Sequence, residues 1–499
     1  MIDKTNFPDS VYKETVLAPL FEGAKAHFVE AVRSINQAHL IMLRETQIIS
    51  KTDAASIATA LTEIDENLDV SSLQYTGEFE DYFFFVESEL KKRLGADLAG
   101  ALHTARSRND MDHTVFKLVL TKKLDNFLDY LHLLASSLIE TAKREKTTLV
   151  VAYTHGQPAQ PSTFGHYLGA AIEVLLRDIE RLHTARAALQ KCPMGAAAIT
   201  TSGFPIDRHR IAELLGFSAP LQNSYSCIAA VDYVTGLYSA MKLLFLHLGR
   251  VIQDFQFWSS FEVSQLYVPN SFVQISSIMP QKRNPVPIEH LRLLSSLTVG
   301  RCDMVVNTMH NTPFTDMNDS EGEVQQAGYS AFESGSRVIK LLSAFIPALS
   351  INSDKVRENI DVSCITVTEL ADTLVRKECL SFRQAHEIAA ITSRDVIQKA
   401  EPLANGYDAF RIAFKDQTDR STNLSEDDYK LAVSPENFIA VRTRYGGPAE
   451  APMDIALSEY SKELSRQKGR ASKNETYRIQ SENARISAFS RLTNNERGA

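Results

Sequence analysis

The sequence has few cysteines and no arrangement of them that would bind zinc or build a disulfide framework. Five cysteines are spread over 499 residues, and none forms a Cys-x-x-Cys pair. An odd, dispersed set is typical of reduced thiols in a cytosolic protein. His, Cys and Asp do not occur at ligand spacing, and no glycine-rich loop would cradle a phosphate, so we expect neither a metal nor an organic cofactor.

Long apolar runs and an excess of positive charge are also missing. No run of eighteen apolar residues occurs, and the first residues contain no apolar signal core. We therefore expect a cytoplasmic protein that does not span a membrane. Lys and Arg number 53 against 61 Asp and Glu, a net charge of −8. Because the basic residues are dispersed, we expect no nucleic-acid partner.

Helical periodicity is abundant. From about Asn109, apolar residues recur at i, i+3, i+4 and i+7 along one stripe, which predicts a long amphipathic helix. The stripe comprises Leu124, Phe127, Leu128, Leu131, Leu134 and Leu138. Four further long helices are predicted at Thr163–Leu189, Ala229–Phe261, Pro287–Met309 and Gln325–Leu349. At about 1.5 Å per residue these helices extend roughly 35–45 Å, longer than a compact monomeric domain requires.

The predicted fold is mainly α, with a central bundle of five long helices. The stretch from Met241 to Leu248 is apolar on nearly all sides, so we expect the bundle to pack against copies of itself. We assign an N-terminal helical domain to residues 1–108, the bundle to 109–353, and a C-terminal helical domain with a tail to 354–499. The last thirty residues are predicted to be either a frayed helix or a tail.

A loop between two long helices carries the most chemistry. Three prolines lie within eight residues, at Pro280, Pro285 and Pro287, and exclude a regular helix there. Pro287 suits the first turn of the helix that follows. The loop's polar side chains are Ser276, Ser277, Lys282, Arg283, Asn284 and Glu289. Ser-Ser and Lys-Arg pairs are also common in plain surface turns, so composition alone leaves both interpretations open.

The string from Ser276 to Pro285 closely resembles the signature of the fumarase/aspartase superfamily, Gly-Ser-Ser-x-x-Pro-x-Lys-x-Asn-Pro. The one departure is Ile275, which stands where the family has glycine. That loop is mobile in the family, so we expect the β-branched Ile275 to affect its hinge motion.

Three other segments carry polar clusters. Residues 103–110 contain two arginines and an asparagine before a helix start, suited to clamping a carboxylate or to a surface ion-pair cluster. Residues 154–166 contain His155 among Gln and Pro, either a structural imidazole or a proton carrier. Residues 223–226 form a polar turn before a long helix.

Together these segments resemble argininosuccinate lyase, a branch of that superfamily. His-Thr-Gly-Arg-Ser-Arg-Asn-Asp is matched at 103–110 except for Ala105, and the Thr-His motif is matched fully at 154–166. Shorter motifs match at 204–208, 382–387 and 446–449, so the resemblance covers about residues 75–450. It implies a three-domain fold, a homotetramer with a 20-helix core, and active sites that draw loops from three subunits.

The resemblance also implies residue roles in a β-elimination that releases fumarate and an amine from an N-substituted aspartate. Ser276 would be the catalytic base, and His155 paired with Glu289 would assist proton transfer. Lys282 and Asn284 would face the substrate carboxylates. The remaining substrate-binding positions are Ser107, Arg108, Asn109, Thr154, Gln157 and Ser277.

The chain departs from the family where the arginine half of the substrate is held. The family's Ser-Asp-Arg-Asp-Phe becomes the stretch 229–233, which lacks the arginine, and its Tyr, Gln and Lys become Pro313, Asn318 and Glu321. We therefore expect an aminosuccinate carbon–nitrogen lyase whose amine need not be arginine, and ethylenediamine-disuccinate (EDDS) lyase, similar through these loops, is the alternative. A catalytically silent structural relative is a third possibility.

Overall fold

The structure is a computed structural model that describes residues 7–494. It is mainly helical, as predicted. The helices of the N-terminal region are α1 (Ser10–Tyr12), α2 (Ala18–His27), α3 (Val29–Glu45), α4 (Lys51–Asn67), α5 (Tyr82–Leu94) and α6 (Ala96–Ala101). Those of the central region are α7 (Arg108–Arg144), α8 (Phe164–Leu189), α9 (Arg208–Leu214), α10 (Ser226–Ala229), α11 (Asp232–Trp258), α12 (Val286–Thr308) and α13 (Gly322–Ala348).

The C-terminal region and the strands complete the chain. Its helices are α14 (Ser353–Ser363), α15 (Val367–Glu378), α16 (Phe382–Lys399), α17 (Tyr407–Thr418), α18 (Glu426–Val433), α19 (Pro435–Ala440) and α20 (Glu450–Asn494). The strands are β1 (Leu149–Thr154), β2 (Gln157–Thr163), β3 (Lys191–Cys192), β4 (Ala219–Pro220), β5 (Leu266–Tyr267), β6 (Gln274–Ile275), β7 (Arg283–Asn284) and β8 (Ser350–Ile351). They pair two by two, and only β3 and β4 run parallel.

Five long helices form a closed ring. Helix α7 packs against α8, α8 against α11, α11 against α12, and α12 against α13, which returns to α7. Each lies within a few residues of a segment predicted from apolar periodicity. Helix α7 has 37 residues, which corresponds to about 55 Å. The bundle is therefore long enough to hold loops at both of its ends.

Apolar side chains of α7 fill the centre of the ring. The stripe predicted from the sequence, Leu124 to Leu138, is buried, and none of its six members is more than 2% exposed. The ring of Phe127 packs edge-on against that of Phe332, with 5.6 Å between centroids. Burial of this stripe against α13 supplies the hydrophobic free energy that holds the two helices together.

Two glycines of α13 leave room for aromatic side chains of α11. A Cβ atom at Gly335 would lie 2.6 Å from Cζ of Phe245, and one at Gly328 would lie 2.4 Å from the hydroxyl of Tyr238. Real Cβ atoms do not approach other atoms so closely, so both positions require glycine. The seats of Phe245 and Tyr238 against α13 thus depend on these two glycines.

Two large apolar cores and two small apolar clusters are present within residues 7–494. One unites the N-terminal helices with the bundle, and a second lies among residues 364–433. Helix α20 belongs to the first, because it packs against α7 and α8 as well as α3, α4 and α9. The last thirty residues were predicted to be either a frayed helix or a tail, and the structure shows helix as far as Asn494. Residues 495–499 lie outside the described range.

One face of the bundle stays apolar and exposed in the single chain. The side chains of Leu243 and Leu246 on α11 are 39% and 44% exposed, and Leu293 and Leu297 on α12 are 54% and 43% exposed. The stretch Ser226–Trp258 has the length and hydropathy of a membrane span, but 56% of its apolar window is buried inside the protein. The same signal is expected of a core helix.

Candidate active site

The first predicted segment forms the start of α7. Ser107 is the N-cap, and its backbone N–H donates to Oδ1 of Asp110 over 3.0 Å in a capping box. The hydroxyl of Ser107 also donates to Oδ1 of Asn109 over 3.0 Å. The preceding Ala105 has φ +58°, in the left-handed region that favours the glycine of the family pattern. This turn sets Ser107 and Asn109 side by side at the helix N-terminus.

Asp110 anchors this helix start to a distant loop. Its Oδ2 accepts hydrogen bonds from the N–H groups of Gly195 and Ala197, over 2.8 Å and 3.1 Å. The residue is fully buried, and burial raises the pKa of its carboxyl. Three backbone donors from two chain segments therefore hold one carboxylate, which fixes the positions of its neighbours.

Arg108 is surrounded by carboxylates. Its guanidinium lies 3.1 Å from Oε1 of Glu80, 2.9 Å from Oδ2 of Asp81 and 3.8 Å from Oδ2 of Asp112, and it stacks over Phe84. Although burial lowers the pKa of Arg108, these three carboxylates raise it above its ordinary value. The predicted substrate clamp thus already holds three anions of its own chain.

Arg106, the other arginine of this segment, faces the interior. Its Nη1 donates to Oδ1 of Asn36 over 2.7 Å, and the guanidinium lies over Phe83. Burial lowers the pKa of Arg106 to about 10. It is a structural side chain, so the segment offers a single arginine to the site.

The second segment is the tip of a hairpin. Strands β1 and β2 pair as far as Thr154 and Gln157, and His155 and Gly156 turn the chain with φ of +55° and +74°. All four residues are exposed. His166, at the far end of the same motif, contacts Ser162 Oγ and the backbone carbonyl of Gly446. That imidazole is structural, whereas the imidazole of His155 is presented to solvent.

The proline-rich loop, residues 274–290, is the third segment of the site and is closed by a short ladder. Ile275 pairs with Arg283, whose guanidinium donates to the carbonyl of Val268 over 2.7 Å and stacks over Tyr267. Ile275 has no positive φ, so its place in β6 does not require the glycine of the family pattern. Pro287 lies in the first turn of α12, as predicted.

Among the loop side chains predicted for catalysis and substrate binding, only that of Ser276 has a hydrogen-bond partner in the part of the chain that the structure describes. Ser276 Oγ accepts the backbone N–H of Met279 over 3.2 Å. Within residues 7–494, no hydrogen bond or ion pair engages the side chains of Ser277, Lys282, Asn284 and Glu289. Nor does any such bond join the three segments to one another. A single protomer therefore brings Ser107, Arg108 and Asn109 together, but it does not bring them to the hairpin or the loop.

A further group of titratable side chains lies beside Arg108, and of its members only Glu321 was singled out from the sequence. Asp316 and Glu321, from the segment before α13, lie next to Asp112 on α7. Burial and the neighbouring Asp316 raise the pKa of Glu321 to about 7, and burial also raises the pKa of Asp112 well above its usual range. Nε2 of His113 lies 3.4 Å from Oδ1 of Asp316. The sequence offered one signal for this group. Asp112 follows Arg108 by one helical turn, so the two side chains are neighbours on the same face of α7.

The chain is similar to known lyases over almost its whole length. A lyase family profile matches residues 23–300, and an argininosuccinate lyase C-terminal profile matches residues 364–440. Argininosuccinate lyase 2 of Agrobacterium fabrum is 61% identical over 463 residues, covering 93% of this chain and 92% of that protein. Argininosuccinate lyase 1 of Shouchella clausii is 32% identical over 454 residues, covering 90% of each.

Solved structures agree with the sequence comparison. An EDDS lyase variant with bound fumarate has a TM-score of 0.84 and 26% identity, covering 99% of this chain and 98% of that one. A class II fumarase of Schistosoma mansoni, at 17% identity and a TM-score of 0.68, shares the fold. The chain therefore belongs to the argininosuccinate lyase branch of the fumarase/aspartase superfamily and is a carbon–nitrogen lyase.

Proposed function

We propose that this lyase cleaves argininosuccinate to fumarate and arginine by β-elimination. Identity of 61% to an argininosuccinate lyase over most of the chain supports this substrate. The observation that carries the catalytic assignment is the state of the loop side chains. Lys282, Asn284 and His155 match the family motifs and make no side-chain hydrogen bond or ion pair within residues 7–494. Ser276 also matches, and its hydroxyl accepts one hydrogen bond, from the N–H of Met279 in its own loop. Side chains left free in this way are available to a substrate.

The active site is assembled from three subunits of a homotetramer. The exposed apolar residues of α11 and α12 support association, because burying them between copies would remove a large apolar face from water. The absence of bonds among the three segments within the described chain supports shared sites. A tetramer of five-helix bundles has the 20-helix core implied by the family resemblance.

Ser276 acts as the base. Its alkoxide takes the proton from the carbon beside one substrate carboxylate, and the electron pair of that C–H bond becomes the double bond of fumarate. The bond from the neighbouring carbon to nitrogen then breaks, and nitrogen keeps its electrons. Lys282 and Asn284 face the carboxylates and stabilise the negative charge as it grows, the largest contribution available to such a site.

The leaving nitrogen receives a proton through His155 or a water that it orients. Glu289, exposed at the start of α12, pairs with His155 of another subunit and holds the ring. Closure of the loop from 274 to 290 excludes water, so the charged groups act in a low dielectric. The side chains that hold the fumarate half are Ser107, Arg108, Asn109, Thr154, Gln157 and Ser277. The free thiols fit a cytoplasmic location.

Replacing the base tests this assignment. Ser276→Ala should lower kcat by about 10²- to 10⁴-fold, followed as fumarate absorbance, and leave the oligomer mass unchanged. Ser271→Ala, at an exposed position in the turn before the loop, is the matched control and should keep full activity. Equal activity of the two variants would contradict the role of Ser276.

Mixing two inactive variants tests the shared site. Asn109→Ala and Ser276→Ala each remove one functional side chain, and the two side chains lie in different segments. If these segments come from different subunits, random 1:1 mixed tetramers would hold both side chains at about one quarter of their sites. We expect activity near one quarter of wild type after the two are refolded together. If all segments came from one subunit, no activity would return.

A second candidate function is cleavage of a diamine succinate. The replacements at 313, 318 and 321 favour it, as does the likeness to EDDS lyase. Turnover of argininosuccinate faster than that of any diamine succinate would exclude it.

A further inference from the structure

A cavity of about 520 Å³ lies between the end of α2, the start of α3, the middle of α7 and the last turns of α20. Cavities of this size are typical of sites for small molecules. None of the residues predicted for catalysis or substrate binding lines it. The cavity is therefore separate from the segments that match the family motifs.

Five cations line this cavity, and carboxylates balance three of them. The lining cations are Lys25, Lys122, Lys123, Arg478 and Arg485. The ion pairs, with their N–O distances, are Lys25 with Glu22 (3.1 Å), Lys122 with Glu30 (2.7 Å) and Arg478 with Glu482 (3.5 Å). Lys123 and Arg485 form no ion pair within residues 7–494. Two positive charges of the lining are thus left without a carboxylate partner.

Arg485 is a buried guanidinium whose partners are uncharged. The residue is only 9% exposed. Its Nε donates to Oε1 of Gln37 over 3.3 Å, and its Nη1 donates to the carbonyl of Leu214 over 3.2 Å. Burial lowers the pKa of Arg485, and the nearby Glu482 offsets this only in part. A buried cation without a counter-ion is costly, so an anion that entered the cavity would be bound favourably.

Lys123 brings the second unpaired charge from another helix. Its ammonium nitrogen lies 4.5 Å from the centroid of the Tyr329 ring, a cation–π contact that supplies no counter-ion. Burial lowers the pKa of Lys123, and the exposed Glu333 offsets this in part. Because Lys123 lies on α7 and Arg485 on α20, the two charges reach the cavity from different helices.

We propose that this cavity binds a small phosphate monoester through Lys123 and Arg485. Such a group carries nearly two negative charges at pH 7, which matches the two unpaired cations. A guanidinium can hold two phosphate oxygens at once, and an ammonium adds a compact point charge. The apolar lining residues Leu118, Val119 and Leu215 would contact the carbon body of the ester. No step of the proposed elimination uses this site.

Two esters of the same shape test the proposal by titration calorimetry. Phenyl phosphate carries nearly two charges at pH 7 and phenyl sulfate carries one. Both are titrated into the intact enzyme with saturating fumarate, which keeps the catalytic site filled. We expect phenyl phosphate to bind about tenfold more tightly than phenyl sulfate. Lys123→Gln and Arg485→Gln should each weaken the binding of phenyl phosphate by about tenfold or more.

Lys143→Gln is the matched control, because it removes the same charge from an exposed position of α7 outside the cavity, and it should leave the affinity unchanged. Arg485→Gln also loses hydrogen bonds that hold α20, so Lys123→Gln decides the outcome if that variant does not fold. Failure of phenyl phosphate to bind beside fumarate, equal affinity for the two esters, or unchanged affinity in Lys123→Gln would overturn the inference. Fumarate release by Lys123→Gln should stay at the wild-type rate.

Discussion

Nη2 of Arg108 lies 2.9 Å from Oδ2 of Asp81, and this ion pair joins the first turn of α7 to the N-cap of α5. The carboxylate that binds the arginine also accepts the backbone N–H of Phe84 over 3.0 Å. Asp81 thus caps the start of α5 and orients the arginine that begins α7. Arg108, which the family resemblance places at the fumarate half of the substrate, is therefore held by the N-terminal region.

Stability should depend on pH through Glu321. Its pKa of about 7 lies above the ordinary 4.5, so the folded protein holds this proton more tightly than the unfolded chain. The stabilisation is complete below pH 4.5 and is lost as pH rises through 7. Between pH 5 and pH 8, wild type should lose about 1–3 kcal/mol relative to Glu321→Gln. Urea unfolding of both proteins at fixed concentration measures this, and parallel pH profiles would contradict it.

Asp110 should matter for both stability and activity. In Asp110→Asn, the side-chain NH2 group would face backbone N–H groups that donate to the carboxylate in wild type, and a donor cannot accept their hydrogen bonds. We therefore expect a loss of about 1.5–3 kcal/mol in the free energy of unfolding. The KM should rise because Ser107 and Asn109 lose their fixed placement. Asp319→Asn removes an equal charge at an exposed position and should change neither quantity. Equal urea midpoints for the two variants would refute the anchoring role.

Close packing of α13 predicts opposite effects of one substitution at two glycines. Gly335→Ala forces a methyl group against Phe245 and should cost about 1–3 kcal/mol. Gly469→Ala, in α20 with no atom within 4 Å of the added methyl, should stabilise by about 0.5–1 kcal/mol. Urea unfolding measures both. The packing argument fails if Gly335→Ala is neutral.

The ladder at Ile275 should limit opening of the loop. Ile275→Gly removes a β-branched residue from β6 and increases backbone freedom, so the paired segment should open more often. Trypsin should then cut after Lys282 and Arg283 faster than in wild type, measured as the rate of appearance of the two fragments. Ile486→Gly, on distant α20, is the control for a general loss of stability. Equal cleavage rates in wild type and Ile275→Gly would show that the ladder does not restrain the loop.

Periodicity was sufficient to predict the bundle from sequence. Leu124 to Leu138 repeat over many turns, and a long amphipathic pattern leaves little freedom of interpretation. Helix α20 was harder to recognise, because its buried face is sparse and includes polar groups. Gln467 donates to the carbonyl of Leu176, and Arg485 to that of Leu214, so hydrogen bonds replace apolar contacts there.

Partners distant in sequence could not be predicted. Arg108 was recognised from its motif, but Glu80 and Asp81 reach it only through the fold. The two-residue pairing of Ile275 with Arg283 is too short to leave a period in the sequence. The roles of Ser276, His155, Lys282 and Glu289 remain predictions, since they depend on neighbouring subunits.

Helix α20 has a consequence for how the protein folds during synthesis. Arg485 contacts Gln37 across 448 positions of the chain, and Lys468 contacts Ser136 across 332. The ribosome must release nearly the whole polypeptide before these contacts form. Until then the outer surfaces of α3 and α7 lack their covering helix, so the nascent chain is exposed to chaperones and to aggregation for most of its translation.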